Sequence, residues 1–289
     1  IYSSVLTAMM IPGVLFTISW ILLLAPKAGL INVWLMKLLG LAHPPFDPYG
    51  MAGMIFVSGI DDFYTPFLFM AAAFRSMDPA LEEASVTSGA GTVRTFFSIT
   101  LRLMLPAALA VSLLIFIRGI EDFEVPALLG IPAGIYVLST EIYLSVRRPP
   151  TDFNLAASIS MFYLLVALGG LYLYFKSIRI TERFAVITGK GFQPRIIHLG
   201  RWRLPAMISA LLLIAVTVYL PLAILAWTSL LPWYAPPSWE MVQAVTLKNF
   251  RWLVNDDLIL SALKNNFIVG LSAAVLATLS GAVISWIVI

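Results

Sequence analysis

The sequence predicts an all-α, multi-pass membrane protein, and three observations point there. Hydrophobic residues make up 60% of the chain and charged residues only 11%, with a mean hydropathy of +0.93. A soluble domain carries about 25% charged residues. Six stretches are apolar over roughly the 20 residues that a helix needs to cross a hydrocarbon core about 30 Å thick. The lysines and arginines, finally, gather in particular loops between those stretches, as they do in membrane proteins of fixed orientation. The chain has no cysteine, which excludes disulfides and thiolate metal sites. Its two histidines, His43 and His198, lie far apart in different loops, so no histidine-based metal or catalytic cluster is expected.

The elements follow in order. Val5–Ala25 is the first span, with Pro12 and Gly13 tolerable as a kink inside a packed bundle. Residues 27–47 form a loop whose piece INVWLMKLL is amphipathic and suited to lie in the interface, with Trp34 as an anchor. Met51–Phe74 is the second span and carries Asp61 and Asp62 near its middle. A polar-to-mixed loop over 76–106 follows. The third span runs from Leu103 to about Val125, the fourth from Leu155 to Phe175, the fifth from Leu204 to Leu231 and the sixth from Phe267 to Ile289. Trp20, Trp34, Trp202, Trp227, Trp233 and Trp239 fall near the expected interfaces and read as an aromatic belt. Gly130 and Gly134 have small-xxx-small spacing, but Pro132 between them argues for a turn. The pair Gly189–Lys190 is no phosphate loop, because Phe184 stands where the pattern needs a glycine.

The loop after the second span is the most informative stretch. Asp78 followed by Pro79 is a helix start, with an acceptor at the cap and a first residue that needs no N–H partner. Glu82 and Glu83 sit in the first turn, where the helix dipole favours negative charge. Ala80, Ala84 and Ser88 line one side at four-residue spacing, a small-residue face able to enter a groove. Gly89, Ala90 and Gly91 end the helix, since glycine takes left-handed dihedrals freely. A second amphipathic piece runs through Val93, Phe96, Phe97, Ile99 and Leu101 until Pro106, which is expected to open the third span.

This loop resembles the EAA loop of binding-protein-dependent ABC importer permeases, whose pattern is E-A-A, three residues, G, nine residues, then I-x-L-P. Glu83, Ala84 and Ser85 stand at the first three positions, Gly89 at the glycine, and Ile99 and Leu101 near the end. Ser85 replaces the second alanine, which keeps the face small. Arg102 replaces the first proline, and only Pro106 remains to turn the tail. The resemblance implies the type I permease fold and a subunit with no chemistry or cofactor of its own. A separate ATPase dimer would bind ATP and dock on Glu82, Glu83, Ala84, Ser85 and Gly89. A periplasmic binding protein would deliver the solute. The segments MAAAFRSMDPALEEAS and EDFEVPALLGIPAGIYVLSTEIY are similar to those of fused two-unit iron(III) permeases, and polyamine, thiamine and phosphonate permeases are close relatives of that group.

Orientation follows from charge. Residues 176–203 hold Lys176, Arg179, Arg183, Lys190, Arg195, Arg201 and Arg203 against one acid, Glu182. Counting spans places them on the same side as the EAA-like loop, which has Arg75, Arg94 and Arg102. Most other acids, among them Asp47, Glu141, Asp152, Glu240, Asp256 and Asp257, lie in the opposite loops. The EAA-like loop is therefore expected in the cytoplasm of a bacterium, with the spans in its inner membrane. Residues 1–178 read as the later part of one permease unit, 179–203 as a basic cytoplasmic linker, and 204–289 as the start of a second unit. The chain is thus expected to be a fragment of a two-repeat protein, partnered by its own second half or by another permease copy, and by lipid. No nucleic-acid partner is expected.

Acids inside a membrane are costly and usually face a cavity or a partner. Asp61 and Asp62 lie within the second span, and Glu121, Asp122 and Glu124 toward the outer end of the third. One reading is structural: Arg118 sits three and four residues before Glu121 and Asp122, at helix-neighbour spacing, or the acids are simply solvated. The other is a carboxylate-lined path for a cation such as iron(III) or a polyamine. A path must also release its cargo, so guidance is expected there and not a coordination site. An ion-coupled secondary transporter using Asp61 and Glu121 is the rival from another class, and it would not need the EAA-like loop.

Overall fold

The computed structural model describes residues 2–77, 80–184 and 200–288. Asp78 and Pro79 lie outside the described residues, as does most of the basic linker with Lys190, Arg195 and His198. Every described element is helical, as the composition requires of a chain that must satisfy its backbone polar groups inside lipid. The chain forms two compact units, residues 1–222 and 223–289.

In the first unit the helices are α1 (Tyr2–Met9), α2 (Gly13–Leu24), α3 (Leu30–Leu39), α4 (Met51–Asp61), α5 (Tyr64–Ser76) and α6 (Ala80–Thr87). α7 covers residues 92–121: it is α-helical over Thr92–Thr95, π-helical over Phe96–Thr100 and α-helical again over Leu101–Glu121. A π-helical turn (Pro126–Gly130) and a 3₁₀ turn (Ile131–Ala133) lead to α8 (Leu138–Arg147) and α9 (Phe153–Phe184). The fifth span, α10 (Arg203–Ser229), has a π-helical turn over Ala215–Tyr219 and contains the boundary between the units. α1 packs on α10 through Ala8, Ile214 and Val218, with Phe63 beside them.

Two expected spans are broken. Residues 2–24 are not one kinked helix: α1 and α2 meet at 101°. Met10 and Ile11 donate to the carbonyls of Thr7 and Ala8, closing α1, and Pro12 has no N–H with which to continue it. The second span bends by 47° at residues 62–63. Pro66 supplies no N–H to the Asp62 carbonyl, which accepts from Thr65 at 3.2 Å. The third span departs as well. Pro106 does not open it but lies inside α7, and the helix stops at Glu121 before Val125. Trp20 is no belt residue: it is 1% exposed, in edge contact with Phe16 and Phe56. Trp34 on α3 is exposed, in keeping with an interfacial helix.

Among the described residues, four helices are long and apolar enough to cross a membrane, and three bent pairs, counted as spans, would raise the number to seven. The seventh, over 126–147, was not expected from the sequence, and the packing of α7 on α9 shows how it runs. A β-carbon added to Gly170 of α9 would lie 2.8 Å from Cγ1 of Ile117 on α7. Tyr163, two turns earlier on α9, is within electrostatic reach of Glu121 and Asp122, one turn later on α7. The two helices are antiparallel, so the segment between them returns to the side it left. The Ser139 hydroxyl donates to the Asp122 carbonyl, holding α8 against the end of α7. The EAA-like loop and the segment after α9 therefore share one side.

In the second unit the end of α10 is tied to the loop that follows. The Trp227 indole donates to the Ala235 carbonyl at 3.0 Å, and the Asn249 side chain donates to the carbonyls of Ser229 and Leu231. Two short helices, α11 (Trp239–Gln243) and α12 (Lys248–Asn255), precede α13 (Asp257–Val288). Asp256 caps α13 by accepting from the Ile259 N–H.

Candidate functional site

Two polar regions of the first unit hold nine of the ten residues singled out by the sequence, all but Glu121. The first is the loop around α6. Its helix ends in a Schellman motif: the Ala90 N–H donates to the Ser85 carbonyl and the Gly89 N–H to the Val86 carbonyl. Gly89 has φ +86°, the left-handed conformation that a β-carbon would penalise. Glu83 and Ala84 are exposed, as are Ala80 and Ser88 of the small-residue face. Glu82 is not: it is 7% exposed and accepts a hydrogen bond from the Thr100 hydroxyl. The hydroxyls of Ser85 and Thr95 lie 2.9 Å apart. Thr95 and Thr100 are buried too. One side of α6 is thus held by the start of α7, and the other, with Glu83 and Ala84, is open.

The second region gathers three chain breaks: α1 to α2, α4 to α5, and the end of α7. Four of the five candidate acids meet there and take three different environments. Asp62 pairs with Arg118, Oδ1 to Nη1 at 3.9 Å, while the same guanidinium reaches the Thr65 hydroxyl at 3.5 Å. This corrects the expectation that Arg118 pairs along its own helix: α7 ends at Glu121, and Asp122 turns out of helical geometry with ψ 130°. Asp122 is a cap. Its Oδ1 accepts from the Glu124 and Val125 N–H groups at 3.0 and 3.5 Å, and its Oδ2 from the Ser58 hydroxyl at 3.1 Å.

Asp61 and Glu124 are the remaining pair. Among the described residues neither carboxylate has a hydrogen bond or an ion pair. A β-carbon on Gly13 would lie 2.0 Å from Oε2 of Glu124 and 3.2 Å from Oδ2 of Asp61, so both acids converge on the first residue of α2. The N–H groups of a helix's first turn have no partner within the helix and carry partial positive charge. That favours negative charge near the start of α2. Glu121, by contrast, is exposed, lies within electrostatic reach of Tyr163 on α9, and takes no part in the contacts given for the other four. Gly13, Ser58 and Thr100 were not singled out from the sequence. Pro12, Pro66 and Pro126 were the available signals, since each marks a place where a helix can fail. Broken helices that bring polar groups together inside the membrane are how transporters build their pathways.

No family model matches the chain. It is 25% identical over 245 residues to the ferric transport system permease protein FbpB of Actinobacillus pleuropneumoniae, a match covering 83% of this chain and 34% of that protein. It is also 25% identical over 248 residues to the putative ferric transport system permease protein FbpB 1 of Haemophilus influenzae, covering 83% and 37%. Over 144 residues it is 32% identical to the molybdate/tungstate transport system permease protein WtpB of Pyrococcus abyssi, covering 46% and 55%. The chain spans about a third of the length of the two ferric permeases.

Proposed function

We infer that this chain, a homologue of the ABC transport system permeases and a multi-pass protein of the inner membrane, forms part of the membrane path of an importer. A binding protein delivers solute to the outer side, and a separate ATPase dimer drives transport from the cytoplasm. The observation that carries the reading is the open face of α6, where Glu83 and Ala84 stand clear of the rest of the loop at the ends of two spans. A short helix held from behind and exposed in front is suited to dock in a cleft of another protein. Residues 1–178 and 204–289 belong in this reading to two successive permease units.

The favoured solute is a cation, with iron(III) first and a polyamine or thiamine next. Support comes from the ferric names of two relatives and from the unpaired Asp61 and Glu124. Unscreened carboxylates attract cations and repel oxyanions, so phosphonate, or a solute like the molybdate of a third relative, fits these residues poorly. In this reading the acids act as guides, since a path must release its cargo. Carboxylates at helix breaks also suit an ion-coupled secondary transporter, the second reading.

One experiment separates the two. The full-length protein is reconstituted in liposomes with its ATPase subunit, and ATP hydrolysis is read with binding proteins loaded with iron(III), putrescine or thiamine. Stimulation by one loaded protein identifies the solute. Uptake that follows an ion gradient and ignores ATP replaces the importer reading with the second.

A further inference from the structure

We propose that Glu82 and Thr100, with Ser85 and Thr95, latch α6 to the π-helical start of α7, so that motion delivered to α6 is passed to α7 as one body. Glu82 is here a positioning residue and does not touch the ATPase. The proposal rests on the importer reading and adds the route by which force leaves the docking helix.

Three observations carry it. First, Glu82, Thr95 and Thr100 are all buried, at 7%, 5% and 6% exposure, in a loop whose other residues are mostly exposed. Burying a carboxylate is costly unless it is hydrogen-bonded, and the Thr100 hydroxyl supplies such a bond. Second, the two contacts lie one turn apart on each helix, Glu82 to Thr100 and Ser85 to Thr95, so they resist both sliding and rotation of α6. Third, the helix they grip is continuous from Thr92 to Glu121. Its far end carries Arg118, paired with Asp62, and Asp122 follows directly. The π turn over Phe96–Thr100 turns Thr95 and Thr100, five residues apart, toward the same neighbour; such turns recur at functional sites. α7 thus links the docking helix to the acids by one unbroken helix.

The test uses the full-length protein with its ATPase and loaded binding protein in liposomes, and reads solute imported per ATP hydrolysed. Thr100→Val keeps the shape and removes the hydroxyl; Thr100→Ser keeps the hydroxyl. Thr100→Val is expected to lower the transport-to-hydrolysis ratio at least fivefold while the ATPase stays bound, and Thr100→Ser to restore it to within twofold. A ratio unchanged in Thr100→Val overturns the latch alone. Loss of ATPase binding in Glu82→Gln also overturns it, because Glu82 would then be a contact residue. A wild-type protein without ATP-driven uptake overturns the importer reading and the latch together. Should Thr100→Val fail to reach the membrane, cross-linking offers a second route, as residues 1–289 contain no cysteine to compete with an introduced pair. Glu82→Cys with Thr100→Cys lacks the hydrogen bond and should show the lowered ratio, whereas bridging the pair with a short thiol linker should restore the ratio to within about twofold of wild type, since latched elements move together. Bridging that stops transport means the two separate during the cycle and overturns the proposal.

Discussion

The α6 loop and the acid cluster are the two polar regions of the first unit, and they are built in opposite ways. In the loop the contacts described above all lie within the loop and the start of α7. Glu82 meets Thr100, Ser85 meets Thr95, and Gly89 closes the helix on Val86. In the cluster the contacts that join one helix to another are remote in sequence. Ser58 meets Asp122, Arg118 meets Asp62, and Glu124 and Asp61 meet at Gly13. The local region leaves its face open to solvent, as a surface for another protein needs. The remote region turns its two unpaired acids toward the interior. A docking surface tolerates change behind it only if its own frame is rigid. A pathway needs groups from several helices, so that a shift of any one of them changes it.

The largest expected effect falls on the local region. Gly89→Pro removes the N–H that closes the helix and forbids φ +86°, so ATP-driven uptake should fall to background while the protein stays in the membrane. Gly89→Ala meets only the left-handed penalty, about 1–2 kcal/mol, and should retain measurable uptake. Uptake near wild type in Gly89→Pro would mean the loop does not couple. Next in size is Glu83→Lys. It reverses a charge on the open face and leaves the latch intact, so the ATPase should no longer co-purify with the membrane protein. Normal co-purification would move the docking contact elsewhere on α6.

The same contrast explains what could be read without a structure. The α6 helix, its open face and its glycine stop were legible because their causes lie within a few residues: a dipole, a four-residue spacing, a left-handed turn. The burial of Glu82 was not, since nothing local distinguishes it from Glu83; the difference is which of them faces Thr100. All six spans were legible from apolar length. Their breaks were legible only in part: Pro12 was read as a kink and became a 101° turn, and Pro66 was passed over inside an apolar run. Apolar length reports that a stretch enters lipid and says nothing of its continuity. The acids were given the wrong company. Arg118 was matched to Glu121 and Asp122 by spacing, a rule that fails once α7 ends between them.

The remote region should respond in proportion to how each acid is held. Asp61→Asn with Glu124→Gln removes both unpaired charges. Two unit charges 10 Å apart interact by about 1.7 kcal/mol at an effective dielectric near 20. Cation uptake at limiting concentration should therefore drop more than about tenfold, with ATP hydrolysis by the complex retained. Glu121→Gln, which alters an exposed acid outside the cluster, should stay within about twofold of wild type. An equal drop in both variants would show that depth, and not convergence on Gly13, decides which acids matter.

The finest test of convergence leaves every charge in place. Gly13→Ala adds a methyl group 2.0 Å from Oε2 of Glu124, and the flexible end of that side chain must swing away. Leaving a preferred rotamer costs about 0.5–1.5 kcal/mol, and the carboxylate also moves off the start of α2. Uptake should fall by about threefold, within the range of that cost, with normal protein in the membrane. The decisive measurement is the pair. If Gly13 acts by leaving room for the Glu124 charge, its substitution should matter little once Glu124→Gln has removed that charge, and the two effects will not add. If they add in full, the methyl group disturbs the turn between α1 and α2 itself, and Gly13 serves the break in the chain more than the carboxylate beside it.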